Sequence, residues 1–134
     1  MLTGGVIGGS ANISTQLTVN GDKPFSYTDA LIAIGTGVLS QGKGAIVTGG
    51  INVGGAYVGG TIKGEDPTNA MIGAGVGAAA GSGAGKVVTD KLKPIVTDKT
   101  ADTLGALGGA FVSENAGAAV QDQLSAHEKS GEKK

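Results

Sequence analysis

Two runs of regularly spaced glycine constrain this chain more than any other feature. Paired glycines stand at 49/50, 54/55 and 59/60, followed by Gly64, and a second run sets Gly73, Gly77, Gly81 and Gly85 four residues apart. Residues four apart share one face of a helix. Each run would therefore lay a stripe of bare backbone along a helix, against which another helix could cross closely.

The residues between the glycines carry the same period. From Gly44 to Ile62 there are 19 residues without a charge, bracketed by Lys43 and Lys63. At 100° per residue, Ile46, Val47, Ile51, Val53, Val58 and Ile62 fall within one half of the wheel, with Gly50 and Gly54 as a notch among them. No strand alternation accompanies them, so the pattern predicts a helix. A second uncharged run, Pro67 to Gly85, follows Glu65-Asp66-Pro67-Thr68-Asn69, where Asp66 suits an N-cap and Pro67 the first helical turn. The expectation is an antiparallel helical hairpin turning at Glu65, Asp66 and Pro67. Its packing surface would be Gly50, Gly54, Gly55 and Gly59 on one helix and Gly73, Gly77 and Gly81 on the other. Seven glycines in 44–62 cost roughly 6 kcal/mol in propensity against alanine, so packing must offset them and the hairpin should loosen easily.

Further helices are legible on both sides. Residues 2–19 hold Ile13/Leu17 and the pairs Gly4/Gly8 and Gly5/Gly9 at helical spacing, up to the turn at Asn20-Gly21-Asp22-Lys23-Pro24. Ser26-Tyr27-Thr28-Asp29 has the form of a capping box, and Leu31, Ile34 and Val38 continue from it to Gln41-Gly42. Val87–Leu92 can extend the second glycine helix until Lys93-Pro94. Leu104, Leu107 and Phe111, then Val120 and Leu124, mark two later helical stretches. The fold class expected is all-α: a small glycine-rich helical bundle built around the antiparallel hairpin, occupying 1–125, with a disordered polar tail over 126–134.

Composition narrows the function. At 134 residues the chain fits one domain, and its only aromatics are Phe25, Tyr27, Tyr57 and Phe111. The core should be thin and stability marginal. Net charge is −1 and every basic side chain is Lys, so neither a basic field nor an arginine fork is there to bind nucleic acid. Without cysteine there is no disulfide or thiolate metal site, and His127 is the single histidine. Met1-Leu2-Thr3 lacks the basic start and apolar stretch of a secretory signal.

The motifs that imitate chemistry each miss a part. Gly73-Ala74-Gly75-Val76-Gly77-Ala78 matches the dinucleotide fingerprint, but a turn precedes it where a strand is required. Gly37 through Gly42-Lys43 fits a phosphate loop until Gly44 takes the place of the magnesium-holding hydroxyl, and Gly81 through Lys86 is one residue short. Glu65/Asp66 and Asp98/Asp102 have no partner that would make them an acid–base pair. The expectation is no enzyme, no catalytic residue, no cofactor and no metal site. The uncharged runs have the length of a bilayer span but few large aliphatics: Pro67–Gly85 holds only Met71, Ile72 and Val76. Membrane contact is expected to be conditional, after a partner is bound.

Several of these residues together also carry a resemblance. Asp22-Lys23-Pro24-Phe25-Ser26-Tyr27, Gln41-Gly42-Lys43-Gly44, Asn52-Val53-Gly54-Gly55-Ala56 and Ile62-Lys63-Gly64-Glu65-Asp66-Pro67-Thr68, with the glycine run to Gly85, resemble the translocation domain of CdiA-type contact-dependent growth inhibition effectors and related filamentous-haemagglutinin-like proteins. The resemblance covers about residues 1–92 and is strongest over 41–85. It implies a secreted, cell-surface effector in which such a domain lies between a long stalk and a C-terminal toxin. It implies that the domain exploits an inner-membrane protein of the target bacterium, acting at its periplasm and inner membrane to bring the linked toxin into the cytoplasm. Phe25 and Tyr27 are candidate receptor contacts. The family's VENN-like peptide is absent; Val112-Ser113-Glu114-Asn115 is a faint echo elsewhere, which leaves the role of residues 93–134 open. The alternative of a different class is a membrane-permeabilising, pore-forming toxin built from the same helices.

Overall fold

The computed structural model describes residues 2–19 and 22–131. All regular structure in them is helical: α1 (Leu2–Thr18), α2 (Tyr27–Ser40), α3 (Ala45–Lys63), α4 (Thr68–Leu92) and α5 (Asp98–Gly131). Most of the inner helix boundaries have a chemical cause in the neighbouring residues. Ser26 caps α2 by accepting a hydrogen bond from Asp29 N at 3.2 Å. The reciprocal half of the capping box is taken over by α1, because Ser26 N donates to Gln16 Oε1 at 2.6 Å. Gly42 supplies the positive φ of 76° in the turn after α2, and Gly64 (φ 71°) closes α3 with Glu65 N donating to Gly60 O at 2.9 Å. Asp66 Oδ1 accepts from Thr68 N at 2.9 Å at the start of α4, while Pro67 already has helical dihedrals. Thr97 Oγ1 accepts from Thr100 N at the start of α5.

The helices form a ring. Consecutive helices touch and run antiparallel, and α5 returns to lie parallel to α1, closing the circle. Among the described residues no contact crosses the middle of the ring. The longest glycine crossing is α4 on α5. A β-carbon added at Gly73 would stand 2.5 Å from Gly117 O, and one at Gly85 2.9 Å from Gly105 O; Gly77 meets Ser113 O and Gly81 meets Gly109 O still more closely. A second glycine crossing joins α1 to α2, where Gly37 meets Gly4 O and a β-carbon at Gly8 would lie 2.5 Å from Ala33 O. The α3–α4 contact is looser. A β-carbon at Gly49 would reach Ala78 Cβ at 3.8 Å, and one at Gly75 would reach Val53 Cγ2 at 3.7 Å, which is ordinary van der Waals contact.

Nothing large is locked inside. Among the described residues the buried apolar ones are Ala11, Ala30, Ala33, Ala78 and Ala101, and no side chain larger than alanine is fully enclosed. The large aliphatics lie outside instead, led by Ile46 at 92% and Leu2 at 85% exposure. Small residues inward and large ones outward reverses the usual order of a water-soluble core.

Two expectations are corrected here. The chain from His127 to Gly131 is the last part of α5 rather than a disordered tail; residues 132–134 lie outside the described residues. Asn69 Nδ2 on α4 donates to Glu128 Oε2 at 2.8 Å and to Ser125 Oγ at 3.4 Å, which ties the end of α5 to the start of α4. Second, the stretches seen separately around Leu104–Phe111 and Val120–Leu124 are one helix of 34 residues. Gly108, Gly109 and Gly117 do not break it because α4 lies against it throughout that length.

The loose side of the ring sets an expected result. Gly50 and Gly54 face open space, and α3 carries the propensity cost of its glycines. Amide hydrogen exchange over Gly49–Gly60 should therefore outpace exchange over Leu31–Leu39. Equal protection in the two segments would contradict the packing described.

Candidate functional site

Because no helix fills the middle of the ring, space remains there. One cavity of about 620 Å³ opens towards the end that holds Lys43, Lys86 and Asp102; a smaller one of about 220 Å³ opens towards Asp29, Lys63, Glu65 and Asp66. All five helices line both. The two meet at a shared layer of Ala33, Thr36, Asn52, Ser113 and Glu114. Glycine and alanine line much of the axis, with the polar side chains of Thr36, Asn52, Ser113 and Glu114 at its middle layer, while many aliphatic side chains cover the outside.

The α1–α5 seam is polar where the others are glycine. Asn12 Nδ2 donates to Glu114 Oε2 at 3.1 Å, and Asn115 Nδ2 donates to Thr15 Oγ1 at 3.3 Å. Gln16 Nε2 donates to Asn12 Oδ1 at 2.7 Å and to Ser26 O at 3.1 Å, so a chain of hydrogen bonds runs from the cap of α2 through α1 to α5. Burial pushes the Glu114 carboxyl above its ordinary value; the Asn12 amide pulls the other way, and the charge of Asp29 adds to the upward push. At the turn end, Lys63 Nζ lies 3.1 Å from Asp29 Oδ1 and 3.3 Å from Glu65 Oε2. Burial works against the Lys63 charge, but its bonds to Asp29 and Glu65 outweigh this and raise its pKa. The hydrogen bonds from the Thr68 hydroxyl and amide hold Asp66 below the usual carboxylate range.

The residues singled out from the sequence are distributed unevenly. Gly73, Gly77 and Gly81 lie together at a backbone-to-backbone crossing, but their partner is α5. Gly55 and Gly59 face α2, where a β-carbon at Gly55 would lie 2.5 Å from Thr36 Cγ2 and one at Gly59 3.7 Å from Ile32 Cγ1. Gly50 and Gly54 touch nothing, so they are not the notch of a close crossing: the apolar half-wheel they belong to points outward. Glu65, Asp66 and Pro67 do form the α3–α4 turn, with Pro67 packed against Gly60. Phe25 and Tyr27 stack edge to face with centroids 5.0 Å apart, and Tyr27 is 77% exposed at the start of α2. Sequence reasoning missed Ser113 and Gly117, which continue the Gly105/Gly109 pair along α5, although their strict spacing of four was the available signal. It also missed Glu114 as a lining residue, which no local pattern announces.

Among the described residues no group of three His, Cys, Asp or Glu is placed to hold a metal ion. No helix among them is long and apolar enough to cross a membrane.

No protein-family model matches the chain, and no solved structure matches it. Among proteins of known annotation, 74 residues of the chain are 46% identical to the toxin CdiA of Escherichia coli, a match covering 54% of this chain and 2% of that protein. The chain therefore carries a CdiA-related region and spans a small fraction of the relative's length.

Proposed function

We propose that this chain is the translocation module of a contact-dependent growth inhibition effector, one that uses a target-cell inner-membrane protein to bring a linked toxin into the cytoplasm. The observation that carries the reading is the inside-out packing of a CdiA-related chain: glycine and alanine hold the helices together, and large aliphatics are left facing outward. Exposed apolar surface on this scale is characteristic of chains that meet a membrane or a membrane protein. The Phe25–Tyr27 pair, with Tyr27 exposed, is the candidate receptor contact on this reading, and insertion into the bilayer follows receptor binding. The module performs no catalysis and takes no cofactor.

The test is to fuse the chain to an unrelated toxin and to select resistant target cells. Delivery should occur, and resistance should map to one inner-membrane protein. Resistance that maps only to the toxin's own target would remove the reading. A second reading, a pore-former, is favoured by the axial space with its polar middle layer, enclosed by helices whose exposed side chains include many large aliphatics. The module alone separates the two: a pore-former dissipates ion gradients unaided, whereas a translocation module is harmless and competes with the intact effector.

A further inference from the structure

The ring is electrically lopsided along its axis. One end gathers the α2–α3 turn and the α4–α5 turn, and there five lysines (43, 86, 91, 93 and 99) face three aspartates (90, 98 and 102). Lys86 already neutralises Asp90 at 2.8 Å. Among the described residues the opposite end gathers Asp22, Asp29, Glu65, Asp66, Asp122 and Glu128 against Lys23, Lys63 and Lys129. The helix directions add to the asymmetry, since α1, α3 and α5 start at the basic end, three positive dipole ends against two negative ones.

The basic end also carries exposed apolar tips. Ile95, 76% exposed, sits at the α4–α5 turn between Lys93 and Lys99. Ile46 and Leu2, the most exposed large aliphatics of the molecule, begin α3 and α1 at the same end, and Leu39 and Val87 accompany them. The α4–α5 turn projects beyond the rest: the last glycine contact of this pair is Gly85 with Gly105, and α4 continues to Leu92, about 10 Å further at 1.5 Å per residue.

We propose that this basic end is a docking surface for an anionic lipid bilayer, with the lysines at the headgroups and Ile95, Ile46 and Leu2 reaching the acyl boundary. Lysine is suited to the task, because its flexible stem places a point charge among headgroups while its methylenes lie along apolar surface. A lying contact of this kind does not require any helix to span the membrane, which agrees with the absence of a membrane-crossing helix among the described residues. The acidic end has exposed apolar residues of its own, Leu17, Val19, Tyr27 and Ile62, but anionic headgroups repel its carboxylates, so charge selects the basic end for the bilayer. A chain that self-associates without vesicles would point to a head-to-tail second copy instead and overturn the proposal. The inference adds a direct lipid contact to the delivery reading and is measured without any receptor or toxin, so either can fail alone.

The experiment is vesicle co-flotation of the purified chain. Binding is expected to phosphatidylcholine vesicles containing phosphatidylglycerol and to be much weaker with phosphatidylcholine alone. It should weaken as salt is raised. Each of Lys91→Gln, Lys93→Gln and Lys99→Gln should weaken it about fivefold, and Ile95→Asp should weaken it further, with helicity unchanged because these side chains are exposed. Asp22→Asn, at the acidic end, should leave it unchanged. Failure to bind the anionic vesicles overturns the proposal, as does binding that survives the triple lysine replacement or that falls equally with Asp22→Asn.

Discussion

Gly77→Leu should destabilise this protein by about 2–3 kcal/mol, the upper range for forcing bulk into a packed site. A β-carbon there meets Ser113 O and comes within 3.2 Å of Gly117 Cα, and backbone cannot rotate aside as a side chain would. The α4–α5 pair must therefore separate to admit it. Gly77→Ala sets the same obstacle against the gain in helix propensity, about 1 kcal/mol, and should come out near neutral or worse. Gly50→Ala takes the propensity gain with no obstacle, because nothing lies within 4 Å, and should stabilise by about 1 kcal/mol. Urea unfolding of the three variants measures the contrast, provided the slope of free energy on urea stays constant. If Gly77→Leu unfolds with the wild type, the glycines are not a contact surface. The same pair separates fold from delivery in the toxin fusion: Gly77→Leu should abolish delivery and Gly50→Leu should preserve it.

The second large effect is expected from Glu114, the ionisable side chain in the layer shared by the two cavities. Its carboxyl is held above its ordinary value of 4.5, so the folded protein binds this proton more tightly than the unfolded chain does. Its contribution to stability is fully present below the unfolded value and is lost as pH rises through the raised folded value. Glu114→Gln keeps an acceptor for Asn12 and removes the charge. The variant should therefore be more stable than wild type at neutral pH, with the advantage shrinking to nothing in acid. Asp66 and Asp90, whose carboxyls are held below the ordinary range, act in the opposite sense and lose their contribution as pH falls. They are common to both proteins, so the difference between the two curves isolates Glu114. An advantage that is constant with pH would show that the carboxyl is not the cause.

How far the sequence reveals this fold follows from which forces are local. Caps and turns depend on neighbouring residues, so Ser26, Gly42, Gly64 and Asp66 could be assigned from the chain alone. The 3.6-residue period likewise gives an all-helical fold. Partnership does not follow from spacing. Gly50 and Gly54 carry the same separation as Gly73 and Gly77, yet the first pair faces open space and the second faces α5. A row of glycines states that something can come close, and only the topology decides what does. The apolar half-wheel of α3 misled for a related reason. Ordinarily such a stripe faces the core, whereas here the bare backbone turns inward and the stripe turns out. Glu114 was illegible because its position depends on α5 closing the ring against α1, a contact between residues 102 apart in sequence.

An interior of alanine methyls and naked backbone also has a thermal consequence. The heat capacity that most proteins gain on unfolding comes from newly wetted apolar side chains, and typical domains gain ~12–15 cal/mol/K per residue. Here many of the large aliphatics are already wet in the folded state, and among the described residues no bulky side chain is fully withdrawn from water. The heat capacity gain should fall below that norm, and the curve of stability against temperature should be correspondingly flat. A fold of this kind neither gains much from moderate cooling nor is lost sharply on moderate warming, so its readiness to open is expected to be nearly constant over that range.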